Sequence, residues 1–190
     1  FRELINHFGC AELALEALPE LAARGGRRAK IRITTRAEAL RELERAGKIG
    51  AAPLFTIEPG YPPALAAIDA PPPMLYVKGR PDVLLRHAVA IVGSRQASAA
   101  GHKLTSQFAS GLGEAGYVVV SGLARGIDAA AHEAALNSGT VAVVAGGVDI
   151  IYPPENAALT EAIAKMGAIV SDMPPGFQPR AKDFPRRNRI

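Results

Sequence analysis

Two loops in this chain combine glycine, serine and arginine in a way that suits an anion: Gly93-Ser94-Arg95, followed by Gln96, and Ser121-Gly122-Leu123-Ala124-Arg125-Gly126-Ile127-Asp128. Small residues at the end of a buried strand, opening onto a helix N-terminus, expose backbone N–H groups that hold phosphate well. Arg95 and Arg125 each add a guanidinium able to grip a phosphate with two hydrogen bonds. A third loop, Gly146-Gly147-Val148-Asp149, ends a similar strand, and Tyr152 follows it. A single glycine in such a turn has a structural use as well, since strand-to-helix turns need positive φ or close packing. The set, with its arginines, points to a ligand.

Other chemistry fails to find its residues. After the first strand the chain reads Gly93-Ser94-Arg95-Gln96-Ala97-Ser98, so the G-x-G-x-x-G dinucleotide fingerprint is absent, and no G-x-x-x-x-G-K-[ST] occurs. His7, His87, His102 and His132 have no metal spacing, and neither Ser94 nor Ser121 lies in G-x-S-x-G. No metal or cofactor is expected. Asp128 and His132, four apart on one helix face, can be read as an acid–base pair, or Asp128 as an anchor for its loop at a helix start. That choice stays open here, and with it an alternative function as a nucleotide-binding hydrolase or transferase.

The elements that must position these residues alternate. The patterns predict strands at Met74–Val77, Val89–Val92, Tyr117–Val120, Thr140–Val144 and Ala168–Ser171, with a short β segment at Leu54–Ile57. Helices are predicted at 99–114, 128–136 and 155–166, and a short one at 81–86. Val89-Ala90-Ile91-Val92 is continuously apolar, so both of its faces are expected to be buried. Alternating β and α units predict a doubly wound, mainly parallel sheet with ligands at the carboxyl ends of its strands. All three glycine loops fall at that edge. Residues 1–50 read instead as a small all-α domain with helices at 1–8, 11–18 and 36–46, punctuated by Gly9, Pro19 and Gly25-Gly26. Residues 51–190 make the second domain, entered through a proline-rich but ordered connector.

The net charge of +4 divides unevenly. Residues 24–48 hold nine Lys or Arg against three acids and residues 180–190 hold five against one, while the rest of the chain is acidic. Such blocks favour a polyanion, although the first is equally well read as a solvated helix face. The second contains Arg186, Arg187, Asn188 and Arg189. Few aromatics accompany these charges, Tyr152 and Phe177 being the best placed, so a strand held by its backbone with little base reading is expected. A single cysteine, Cys10, fits a reducing cytoplasm, and no apolar run is long enough to span a membrane. Without an initiating Met or a stopping signal, the sequence is expected to be part of a longer chain.

Four motifs in order then carry a resemblance: 90–95 (AIVGSR), 120–132 (VSGLARGIDAAAH), 145–153 (AGGVDIIYP) and 184–190 (FPRRNRI). The chain resembles the DprA (Smf) family, and residues 1–48 resemble, less specifically, the sterile-alpha-motif-like domain often found ahead of it. The resemblance implies an extended Rossmann-like fold and a cytoplasmic homodimer that performs no catalytic reaction. It further implies binding and protection of single-stranded DNA and loading of the RecA recombinase in natural transformation. Its DNA-contacting positions map onto Gly93, Ser94, Arg95 and Gln96, onto Gly122, Leu123, Arg125 and Gly126, and onto Gly147, Tyr152 and Arg186, Arg187, Asn188 and Arg189. Pro154 stands where many members carry a basic residue, which weakens the expectation of a DNA contact there. The resemblance also implies that the family's domain, and much of its dimer surface, continues past Ile190.

Overall fold

The structure is a computed structural model that describes residues 2–26 and 31–190. Phe1, and Arg27, Arg28 and Lys30 of the first basic block, lie outside those residues. The chain forms two compact units, Phe1–Arg41 and Glu42–Ile190.

The first unit consists of α1 (Arg2–Phe8), α2 (Ala11–Arg24) and the start of α3 (Arg36–Lys48). Pro19 does not end α2, as its type predicts, but sits inside it. Proline removes one N–H donor, yet the Ala, Leu and Glu residues on both sides are strong helix formers and carry the helix on to Gly25. A reciprocal cap opens α3. Thr35 Oγ1 accepts from Glu38 N at 3.2 Å, and Glu38 Oε2 accepts from Thr35 N at 2.9 Å.

The second unit is built on a six-stranded sheet with strands β1 (Ala51–Phe55), β2 (Met74–Gly79), β3 (Ala88–Ala90), β4 (Val118–Ser121), β5 (Thr140–Val143) and β6 (Ala168–Ser171), ordered β1-β2-β6-β5-β4-β3. β3 to β6 are parallel, and β2 and β1 add antiparallel strands beyond β6. Helices α5 (Ala99–Glu114), α6 (Ile127–Ala135) and α7 (Ala157–Met166) connect the parallel strands. Period-two alternation sorts the core. Tyr76, Val119, Ala142 and Ile169 face α5, α6 and α7, whereas Val77, Val120, Val143 and Val170 face α4 (Pro63–Ala66) and a short turn of helix at Pro81–Leu85.

β5 and β6 are buried along their whole length, as continuous apolar runs predict. The first run is different. β3 is an edge strand with β4 as its neighbour, Ala88 and Ala90 are exposed, and Val92 is 75% exposed, so the expectation of two buried faces is wrong. A run of apolar residues reports affinity for a core, not the number of neighbours a strand has.

Candidate nucleic-acid interface

The first two glycine loops meet at the carboxyl ends of β3 and β4, and backbone contacts lock them together. Ile127 N donates to Ser94 O at 3.1 Å, and Ser121 Oγ donates to Ile91 O at 2.6 Å. Gly126 has φ +75°, and a Cβ there would run into the Ser94 carbonyl oxygen. At Gly93 a Cβ would lie 2.7 Å from Ile127 Cγ1, so this glycine lets α6 start against the loop. Ser94 Oγ accepts from Gln96 N at 3.1 Å, which turns the chain into α5.

Arg95 projects from this platform. It is exposed and, among the described residues, forms no ion pair or hydrogen bond. Its guanidinium carbon stands 5.9 Å from the centre of the Phe184 ring, a cation–π contact that leaves the N–H groups free. Tyr152 packs beside the same ring, with centroids 5.4 Å apart. Arg125, on the second loop, lies 3.5 Å from Glu155, and both side chains are largely exposed.

The basic segment forms α8 (Asp183–Arg187), which crosses back over the strand ends. Arg187 turns inward. Its Nη1 donates to Gly122 O at 2.9 Å and to Val143 O, bridging the ends of β4 and β5. Burial pushes its guanidinium pKa down, while the nearby Asp128 carboxylate opposes that shift. Asp128 is buried, and its Oδ2 accepts from Ala124 N at 3.3 Å, anchoring the loop at the start of α6. Gly122 is closely surrounded: a Cβ there would sit 2.7 Å from Arg187 Nη1 and 2.8 Å from Asp128 Oδ2.

A groove of about 450 Å³ follows, lined by Gly93, Arg95, Ser121, Gly122, Arg187 and Asn188. It adjoins a smaller recess edged by Arg125, Tyr152 and Phe184. A separate cavity of about 220 Å³, under α4, is walled by Leu65, Val83, Val141 and Val170 and is predominantly apolar.

The expected positions therefore separate. Gly93, Arg95, Gly122, Arg125, Tyr152, Arg187 and Asn188 line the groove or its recess, with Ser94, Gln96 and Gly126 forming the loops behind them. Leu123 is buried in the left-handed conformation, at φ 57°, and its carbonyl accepts from Asn156 Nδ2 at 3.0 Å. Gly147 is buried too, its N–H donating to Phe177 O at 2.9 Å. Arg186 and Arg189 both reach Asp172 Oδ2, at 3.3 and 2.8 Å. That carboxylate side chain is only 6% exposed, so the two arginines cover it.

The acid–base reading of Asp128 and His132 does not survive. His132 is completely buried between α6 and the sheet. Thr140 Oγ1 donates to Val119 O at 2.7 Å and so accepts from His132 Nδ1–H, also at 2.7 Å. Nε2 then has no hydrogen-bond partner, and burial pushes the imidazole pKa down to about 3. Such a residue is sealed from any ligand and stays neutral at physiological pH, its one ring proton committed to Thr140.

Sequence reasoning missed Phe184, Glu155 and Asp172 as members of this region. Phe184 lies within the basic segment, but a lone aromatic among arginines gives no sign of which residue it will face. Phe177, singled out instead, supports Arg180, whose guanidinium carbon is 5.6 Å from its ring centre. Among the described residues no group of His, Cys, Asp or Glu could hold a metal ion, and no helix is long and apolar enough to cross a membrane.

Comparison with known proteins agrees with this architecture. Residues 53–190 match the family model described as DNA recombination-mediator protein A, and residues 1–46 match a DprA-like N-terminal HHH domain. The latter agrees with a small helical domain ahead of the sheet. The DNA processing protein DprA of Streptococcus pneumoniae is 44% identical over 141 residues, covering 73% of this chain and 50% of that protein. Protein Smf of Synechocystis is also 44% identical, over 70% of this chain and 35% of its own length. The chain thus spans half or less of these curated relatives. Among solved structures, the S. pneumoniae DprA superposes with a TM-score of 0.74 at 37% identity, covering 82% of this chain and 54% of that one. DprA from Helicobacter pylori, described for its single-stranded DNA binding mode, superposes with a TM-score of 0.67 at 33% identity over 73% of this chain and 62% of that one. A family model that covers most of the chain, and folds that agree with it, lead to one conclusion: the chain belongs to the DNA recombination-mediator protein A family.

Proposed function

We propose that the carboxyl edge of this sheet binds single-stranded DNA by its backbone, with Arg95 and Arg125 as the principal phosphate contacts and the two glycine loops as the floor. Arg95 is the observation that carries this reading. An arginine that is exposed, steadied by an aromatic ring and without a carboxylate is held ready for an external anion. The Tyr152–Phe184 pair beside it offers aromatic surface to a base, which suits a single strand rather than a duplex. In this reading the protein is a nonenzymatic recombination mediator that works in the cytoplasm as a homodimer. It shields incoming single strands and hands them to RecA during natural transformation. The DNA-binding mode for which the H. pylori relative is described supports the first step, and the family's description supports the second. The alternative of a nucleotide-processing enzyme loses its acid–base pair with the burial of His132.

The test is a parallel titration of one labelled oligonucleotide as single strand and as duplex, together with mononucleotides. Preference for the single strand, falling steeply with salt, is the expected result. Tight saturable binding of a mononucleotide, or its turnover, would overturn the reading.

A further inference from the structure

Asp172 is an acid at an edge built to meet an anion. It directly follows β6, and two other acids share that edge, Asp128 and Asp149. Those two accept from backbone N–H groups, of Ala124 at 3.3 Å and of Gly176 at 2.9 Å, and so keep loops in shape. Asp172 differs. Its Oδ2 accepts from Arg186 Nη2 at 3.3 Å and from Arg189 Nη2 at 2.8 Å, donors that belong to α8 and the turn after it. Arg189 Nη1 also donates to Ala70 O, at 3.5 Å. With its side chain only 6% exposed, the carboxylate is committed to these two guanidinium groups and shows almost nothing to a ligand.

What this carboxylate holds is α8. A helix of five residues has too few internal hydrogen bonds to keep its place unaided. At its start Asp183 Oδ2 accepts from Arg180 N at 2.9 Å, but that bond is local and leaves the helix free to move as a unit. Among the described residues, two polar ties join it to the sheet: Arg187, which reaches the ends of β4 and β5, and the bridge from Arg186 and Arg189 to Asp172 at the end of β6. Phe184 and Arg187 are three apart and share one flank of the helix, whereas Arg186 and Arg189, also three apart, share another. We infer that Asp172 is a positioning residue for the DNA-binding edge. By gripping the second flank it keeps the first in place, and with it the Phe184 ring over which the Arg95 guanidinium stands. Charge-assisted bonds to a shielded carboxylate make that grip firm. Arg186 and Arg189 are then parts of a tether rather than phosphate contacts.

This inference rests on single-stranded DNA binding at the edge, and charge alone predicts the opposite outcome for its test. Asp172→Asn removes a negative charge and on that ground would tighten binding of a polyanion. Loss of the tether should instead weaken binding of a labelled oligothymidylate, by roughly 2- to 30-fold. In a Phe184→Trp background, which gives the chain its only tryptophan, Asp172→Asn should shift the indole emission to the red and lower its anisotropy in the absence of DNA, with the far-UV circular dichroism unchanged. Adding Arg189→Gln to Asp172→Asn should weaken binding little further, because one tether is lost only once. Equal or tighter binding by Asp172→Asn, an unmoved tryptophan signal, or additive losses in the double variant would each overturn the inference. A wild type that binds no single strand would overturn the DNA-binding reading itself, whatever the tryptophan signal shows of α8.

Discussion

Replacing Arg187 with alanine should destabilise the fold, because this arginine joins strands before it can meet any ligand. Its Nη1 satisfies two backbone carbonyls, Gly122 O at the end of β4 and Val143 O at the end of β5, and its charge faces the buried Asp128. A hydrogen bond from a charged donor contributes about 1.5–3 kcal/mol net. The groove admits water to part of the vacated space, so we take a total near the lower bound for two such bonds, about 2–4 kcal/mol. For a chain of this size each kcal/mol lowers the melting temperature by roughly 2–4 °C, which gives a fall of roughly 5–15 °C. Thermal unfolding followed by far-UV circular dichroism measures it. Arg187→Lys, which keeps the charge but not the planar fork, should fall in between. If Arg187→Ala melts within about 1 °C of the wild type yet loses single-stranded DNA affinity, Arg187 is a phosphate contact and the clamp described here is wrong.

Three further perturbations test other parts of the account. Gly126→Ala, which forces φ +75° on alanine and drives a Cβ into the Ser94 carbonyl, should cost more stability than Gly93→Ala, whose Cβ meets only the Ile127 side chain; urea unfolding should rank them about 3 against 1–2 kcal/mol. His132 titrates near 3 in the folded chain and near 6.5 when unfolded, so its contribution is fully present above pH 6.5 and is lost as pH falls toward 3, by about 1.4 kcal/mol per unit. Urea unfolding at pH 7, 5.5 and 4.5 should therefore show a shallower pH dependence for His132→Asn than for the wild type, and equal slopes would refute this. Glu155→Gln should free Arg125 and tighten single-stranded DNA binding about 2-fold at low salt, as expected for an exposed pair; weaker binding would mean that Glu155 positions Arg125 usefully.

Much of the fold was legible because the second unit repeats a simple unit. Val118–Ser121, Thr140–Val143 and Ala168–Ser171 are short β-branched runs between helical stretches, and each became a buried parallel strand. What pattern alone misjudged was context. Val92 belongs to an apolar run like the others but ends an edge strand, and Pro19 lies in a helix that its neighbours sustain. The site divided along the same line. Glycine, serine and arginine marked the loops correctly, since turn geometry is local. The destinations of the arginines were not local. Arg95 stays free, Arg125 meets Glu155, Arg187 closes two strands, and Arg186 and Arg189 converge on Asp172, four fates for one residue type that depend on which carboxylate or carbonyl the tertiary fold brings near.

The most direct measurement is the affinity of wild type and Arg95→Ala for a labelled oligothymidylate across a salt series, read by fluorescence anisotropy. The account predicts that Arg95→Ala keeps the wild-type melting temperature, binds the single strand about 5- to 150-fold more weakly, equivalent to about 1–3 kcal/mol, and loses about 0.7 from the slope of log affinity against log salt. Unchanged affinity and slope in a folded Arg95→Ala chain would contradict it.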